Sequence, residues 1–169
     1  MDPKTMSRTL GRSGAAFAAL LDGVTDEIMR KRPAPGCWTP LEILCHLVDE
    51  ERDDFGARLK SVLDDPTAEW PPIDPEGWVA ERNYAERQPG PVLGEFLVER
   101  AATVAWLGSL EADSLDRSYH HPKLGDLSAG DLVAAWTAHD LLHLRQLATT
   151  LLDLLGDQAA PYSTRYAMP

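Results

Sequence analysis

Thr39-Pro40-Leu41-Glu42-Ile43-Leu44-Cys45-His46 is the stretch from which the rest of the chain can be organised. Threonine is a preferred N-cap, proline suits the first helical turn because it has no N–H to leave unpaired, and Glu42 stands three residues after the cap. Together they form a capping box, in which side chains at both ends satisfy backbone donors. A helix is therefore expected from Thr39 to about Leu63, with Leu41, Leu44, Cys45, Val48, Phe55, Leu59 and Val62 on its apolar face.

Upstream, Leu10, Phe17, Leu20, Leu21, Val24 and Ile28 make a helical stripe over Ser7 to Arg30, closed by Pro33 and Pro35. Gly11, Gly14 and Gly23 weaken this helix intrinsically, so it must lean on its neighbours. Downstream, residues 64–90 carry five prolines and two tryptophans, a connection long enough to line a functional opening. A third helix follows from Pro91 to about Leu110. The fourth starts at Ser128, with Asp131 at the third position, and runs to about Leu155 with Gly156 as its C-cap. No period-2 strand stands out. The expectation is an all-α four-helix bundle with a long crossover loop between the second and third helices, spanning 1–156, then a C-terminal tail over 157–169.

Composition narrows the function classes. The chain has 169 residues, 44% of them hydrophobic, which suits one domain with a sizeable core. A formal net charge of −11 repels phosphate backbones, and the only basic cluster, Arg30-Lys31-Arg32, falls at a helix end, so no nucleic-acid partner is expected. Cys37 and Cys45 are too few for a disulfide framework and fit a reducing compartment. The apolar run Ala15 to Leu21 meets Asp22 with no small-residue cleavage site, and no stretch reaches the ~20 apolar residues of a membrane span. A cytoplasmic protein acting on a small molecule, with no membrane partner, is expected.

Three of the five histidines carry the chemistry. His139 and His143 are four apart on the fourth helix and project from one face, the spacing by which a helix offers two imidazoles to one ion. They share that face with Leu132, Trp136, Gln146, Leu147 and Thr150, so it points inward. Alone, such a pair is as well read as core histidines satisfied by Gln146 or Thr150. His46 lies with Glu42, Asp49, Glu50 and Asp53 on a polar side of the second helix, where it could border a cleft or simply meet solvent. Taken together, the three would form a nitrogen set with a position left over for water or substrate. Zinc, nickel and iron(II) all accept imidazole. Glu50, one turn after His46, is the candidate base, against the plainer reading of an exposed helix acid. Arg100 interrupts the apolar stripe of the third helix, and is either paired with a buried acid or held for an anionic ligand. His120-His121-Pro122 reads as a solvated turn.

At Trp38 to Leu47, Gly125-Asp126-Leu127 and Trp136 to Gln146 the sequence resembles the DinB-like superfamily of helical bundles, which includes YfiT-type metal-dependent hydrolases. The resemblance covers the chain from the first helix to about Gly156. It implies a divalent metal (zinc, nickel or iron) on His46, His139 and His143, and homodimers are common among such proteins. Members include transferases and isomerases that use a low-molecular-weight thiol such as bacillithiol or mycothiol. The resemblance therefore implies a metal-dependent enzyme, of the thiol-dependent S-transferase type or a hydrolase, against a non-catalytic metal- or small-molecule-binding bundle. Some isomerase members carry glutamate at one fourth-helix ligand position, where this chain has histidine at both.

Overall fold

The computed structural model describes residues 2–167. In chain order these form α1 (Pro3–Leu21), α2 (Asp26–Met29), α3 (Pro40–Arg52), α4 (Phe55–Asp64), α5 (Pro75–Glu81), a 3-10 turn (Tyr84–Glu86), α6 (Pro89–Gly108), a second 3-10 turn (Ala112–Asp116), β1 (Ser118–His121), β2 (Gly125–Ser128) and α7 (Ala129–Gln158). Four rods make the bundle: α1, the pair α3–α4, α6 and α7. Helix α6 packs on α1 and α3, and α7 packs on α1, α3 and α4. Among the described residues no helix is long and apolar enough to cross a membrane.

Both capping boxes form. Thr39 Oγ1 accepts from the Glu42 amide at 3.1 Å while the Glu42 carboxylate accepts from the Thr39 amide at 2.7 Å. Ser128 and Asp131 repeat the arrangement at the start of α7. Each box fixes where a histidine-bearing helix begins, and so fixes the phase of its faces.

The structure differs from the sequence reading at several joints. The first helix stops at Leu21 rather than Arg30, because Gly23 turns the chain at φ +73° and Thr25 caps the separate short helix α2. The second breaks at Asp53–Asp54, so Phe55 begins a new helix and does not share a register with His46. At that break a Cβ on Gly56 would stand 1.8 Å from the Glu51 carbonyl oxygen, so only glycine lets the two segments approach this closely. The crossover is not a bare loop, since α5 and a 3-10 turn occupy its second half. Helix α6 begins at Pro89, two residues before Pro91. Helix α7 passes through Gly156 and is capped by Ala159. Residues 118–128 form an antiparallel hairpin pairing Ser118 with Ser128, where no strand was expected, and His120 and His121 lie on its first strand. Each strand carries a single large apolar residue, Tyr119 or Leu127, so no alternation of apolar and polar residues marks it.

Two apolar clusters fill the bundle. One centres on Phe17, Ile43, Leu44, Tyr84 and Phe96, the other on Leu10, Leu59, Leu107, Val133 and Trp136. Helix α3 runs through the middle, and every residue from Pro40 to Glu51 is buried. Its acids therefore cannot face water, and all but Glu50 are matched by partners outside the helix: Glu42 with Arg32, Asp49 with Arg82 and Tyr84, Glu51 with Arg100.

Candidate metal centre

Helices α3 and α7 bring His46, His139 and His143 together. Their Nε2 atoms form a triangle with sides of 3.2, 3.2 and 3.0 Å. His46 is 3% exposed, and the other two are partly buried. The two fourth-helix imidazoles sit one turn apart on the face that also carries Gln146 and Thr150.

Three imidazoles cannot satisfy one another in this arrangement. His143 Nδ1 lies 2.7 Å from Gln146 Oε1, which can only accept, so the proton is on Nδ1 and Nε2 presents a bare lone pair. Gln146 therefore holds the ring in the ligand tautomer rather than closing off a core pair. His46 Nδ1 and His139 Nδ1 are buried with no hydrogen-bond partner among the described residues. His46 Nδ1 faces the Glu50 carboxylate at 3.4 Å. Adding a proton is no remedy: burial, and then the neighbouring imidazoles, push His46 down to about 3. Burial and His143 push His139 to about 3 as well. Burial lowers His143 as well, so neutral imidazoles are favoured, and the three Nε2 atoms converge on one point. Tetrahedral zinc with bonds of ~2.0–2.1 Å sets donor nitrogens roughly 3.3 Å apart, close to the triangle seen here. The residues fit a divalent cation.

These histidines floor a cleft of about 540 Å³, walled by Trp38, Phe55, Glu50, Asp54, Asp74 and Glu76. The Trp38 ring lies 5.0 Å from His46, and is parallel to His143 at 6.4 Å. Phe55 lies 5.2 Å from His139. Glu50 is buried at the edge of this cleft, not exposed as an ordinary helix acid would be. Burial, and then the charge of Asp54, push it up to about 9. Asp54 is itself raised by burial and pairs with Arg58 at 2.6 Å.

Arg100 is not in the cleft. It is 3% exposed, and it donates to Glu51 at 2.6 Å, to Asp140 at 2.5 and 2.9 Å, to the Leu10 carbonyl at 2.9 Å and to Ser13 at 3.1 Å. A guanidinium so engaged has nothing left for an anionic ligand, and the paired-acid reading is the one its surroundings support. Sequence reasoning missed Asp140, which follows His139 and so projects about 100° further round α7, toward Arg100. It also missed Asp54, hidden by the unrecognised helix break.

The DinB superfamily model matches residues 9–147, and the chain belongs to that superfamily. A protein from Oceanobacillus iheyensis named a putative metal-dependent hydrolase is 26% identical over 138 residues, covering 80% of this chain and 78% of the relative. The solved structure of YfiT from Bacillus subtilis, described as a probable metal-dependent hydrolase with an unusual four-helix bundle topology, superposes with a TM-score of 0.77. That match has 18% identity and covers 88% of this chain and 85% of that one. It shows that the fold is shared.

Proposed function

We propose that this chain is a metal-dependent enzyme, a hydrolase in its first reading, with a divalent ion held by His46, His139 and His143. The observation that carries this is the triangle of Nε2 atoms, 3.0–3.2 Å on a side, at the floor of a cleft large enough for a small molecule. The names of the two relatives support the same reaction class. A divalent ion in this place supplies Lewis acidity, lowering the pKa of a water or thiol and polarising a substrate oxygen.

The protein's own residues do the rest. Gln146 fixes the His143 tautomer, and Glu50 stands behind His46. Glu50 also lines the cleft beside Asp54, and a carboxyl raised to about 9 is protonated at neutral pH, so it can donate a proton to a leaving group rather than serve as the base expected from the sequence. Trp38 and Phe55 flank the imidazoles and keep water from reaching them sideways. Zinc, nickel and iron(II) all suit three neutral imidazoles. Thiol transfer is the second reading, because a further cavity of about 770 Å³ beside His143 leaves room for a thiol cosubstrate as well as an electrophile.

The test loads purified protein with zinc, nickel or iron(II) and screens ester, amide and phosphoester hydrolysis. A low-molecular-weight thiol plus electrophiles is run in parallel. Turnover that falls roughly 10²–10⁴-fold in Glu50→Gln, with metal content unchanged, is the expected result. Loaded protein without turnover in either screen contradicts the proposal and leaves a binding role.

A further inference from the structure

The cleft over the histidines continues past Trp38 into a second cavity of about 770 Å³, and Trp38, Glu76 and His143 belong to the walls of both. The far wall of that second cavity is a strip of α7: Arg145, Gln146, Thr149, Thr150 and Asp153.

Three side chains on this strip can donate hydrogen bonds into the cavity. Arg145, on the wall of the cavity, makes no ion pair or side-chain hydrogen bond among the described residues. Histidines aside, it is the only cationic side chain among the described residues that lines either cavity. The Gln146 carbonyl is taken by His143, which leaves its amide NH₂ free. Thr150 is 5% exposed and stands on the wall of the same cavity, next to Gln146 on the helix surface.

We propose that this strip is the subsite for a carboxylate at the non-reacting end of the substrate, gripped by Arg145, Gln146 and Thr150 while the reacting group lies at the histidines. The inference rests on the proposed enzymatic role of the histidine cleft and names the substrate class that the role would serve. A guanidinium matches a planar carboxylate through two parallel N–H donors. Glu76 and Asp153 on the same walls disfavour a dianion, so a carboxylate is selected over a phosphate. The preference arises from one local cation in a chain of net charge −11, so it is positional rather than a general attraction for anions.

The test titrates 6-mercaptohexanoate, 6-mercaptohexanol and 6-mercaptohexyl phosphate into metal-loaded protein by calorimetry, for the native chain and for Arg145→Met. The thiol seeks the metal in all three probes, so only the far end differs. Hexanoate and hexanol, which lack the thiol, are titrated in parallel into metal-free protein, where no ion can compete for the carboxylate. The acid is expected to bind roughly tenfold or more tightly than the alcohol or the phosphate. Arg145→Met should remove that preference while leaving alcohol affinity, metal content and melting temperature unchanged. If the histidines take up no ion, the proposed function fails, but a hexanoate preference lost in Arg145→Met still upholds the subsite. Equal binding of acid and alcohol in both protein forms overturns it, as does a preference that survives in Arg145→Met. A tighter phosphate replaces the carboxylate with a different substrate class and equally overturns it.

Discussion

Helix α7 carries a buried polar cluster on each of two faces, and the two are built in opposite ways. On one face Asp140, 0% exposed, meets Arg100, Glu51 and Ser13, and each charge has a partner of opposite sign or a hydrogen bond. On the other face, His139 and His143 meet His46, and three acceptors of the same kind point at one another. The first cluster is complete without a ligand and can only hold helices together. The second is incomplete without one, and it opens onto a cleft. Burial of polar groups therefore does not mark function by itself. A mismatch among the buried groups does.

Substitutions should separate the clusters, and the largest effect is expected in the closed one. Arg100→Met leaves Glu51 and Asp140 as uncompensated buried charges, and removing one partner of such a network typically costs ~3–5 kcal/mol. Urea unfolding of metal-free protein should show that loss. A drop no larger than that of an exposed arginine would mean the network is screened and the contrast is false.

The open cluster should respond to metal instead. Loading native protein with zinc at about 100 times its dissociation constant should add ~2.7 kcal/mol, and a chelator should remove it. His139→Ala should show no such increment and should unfold close to the metal-free native protein. A chelator-sensitive melt in His139→Ala would place the ion elsewhere.

Acid should sharpen the contrast further. His46 and His139 are each held down to about 3 when folded, against 6.5 for an ordinary imidazole. As pH falls below 6.5 the unfolded chain gains protons that the folded chain refuses, so metal-free protein should lose stability progressively toward pH 3. Glu50, raised to about 9, acts with the opposite sign between 4.5 and 9, so the informative quantity is a difference between proteins. His139→Gln should have a shallower acid limb than native protein in urea midpoints taken from pH 7 to 4. Parallel limbs would mean the histidines titrate normally.

The smallest effect belongs to the frame. Thr39→Ala removes one half of the α3 capping box and should cost ~1 kcal/mol without changing metal stoichiometry. Loss of metal in this variant would mean the cap positions His46 more directly than its distance along the helix suggests.

What could be read from the sequence follows the range of the interactions. Thr39-Pro40-Leu41-Glu42 and Ser128-Ala129-Gly130-Asp131 are local chemistry, and they fixed the starts of both histidine-bearing helices correctly. The His139–His143 spacing is equally local. The burial of His46 was not legible, because α3 reads as amphipathic while its acids find partners far away in the chain: Glu51 is 49 residues from Arg100. Glu50 looked like a surface acid because nothing close to it in the sequence marks the polar side of α3 as buried. The break before Phe55 was hidden because apolar residues continue on both sides of it. The bundle was legible in four helical stripes and their caps, the superfamily resemblance implied the same fold, and the superfamily match and the superposition on YfiT bear it out.

Metal content after loading and exhaustive dialysis, read for native protein and for the single alanine variants of His46, His139 and His143, bears most directly on the central contrast. One divalent ion per chain in the native protein, lost in each of the three variants while Arg145→Met keeps it, is the expected result. A native protein that stays ion-free after exposure to zinc, nickel and iron(II), or one that keeps its ion when any of the three imidazoles is gone, would contradict it.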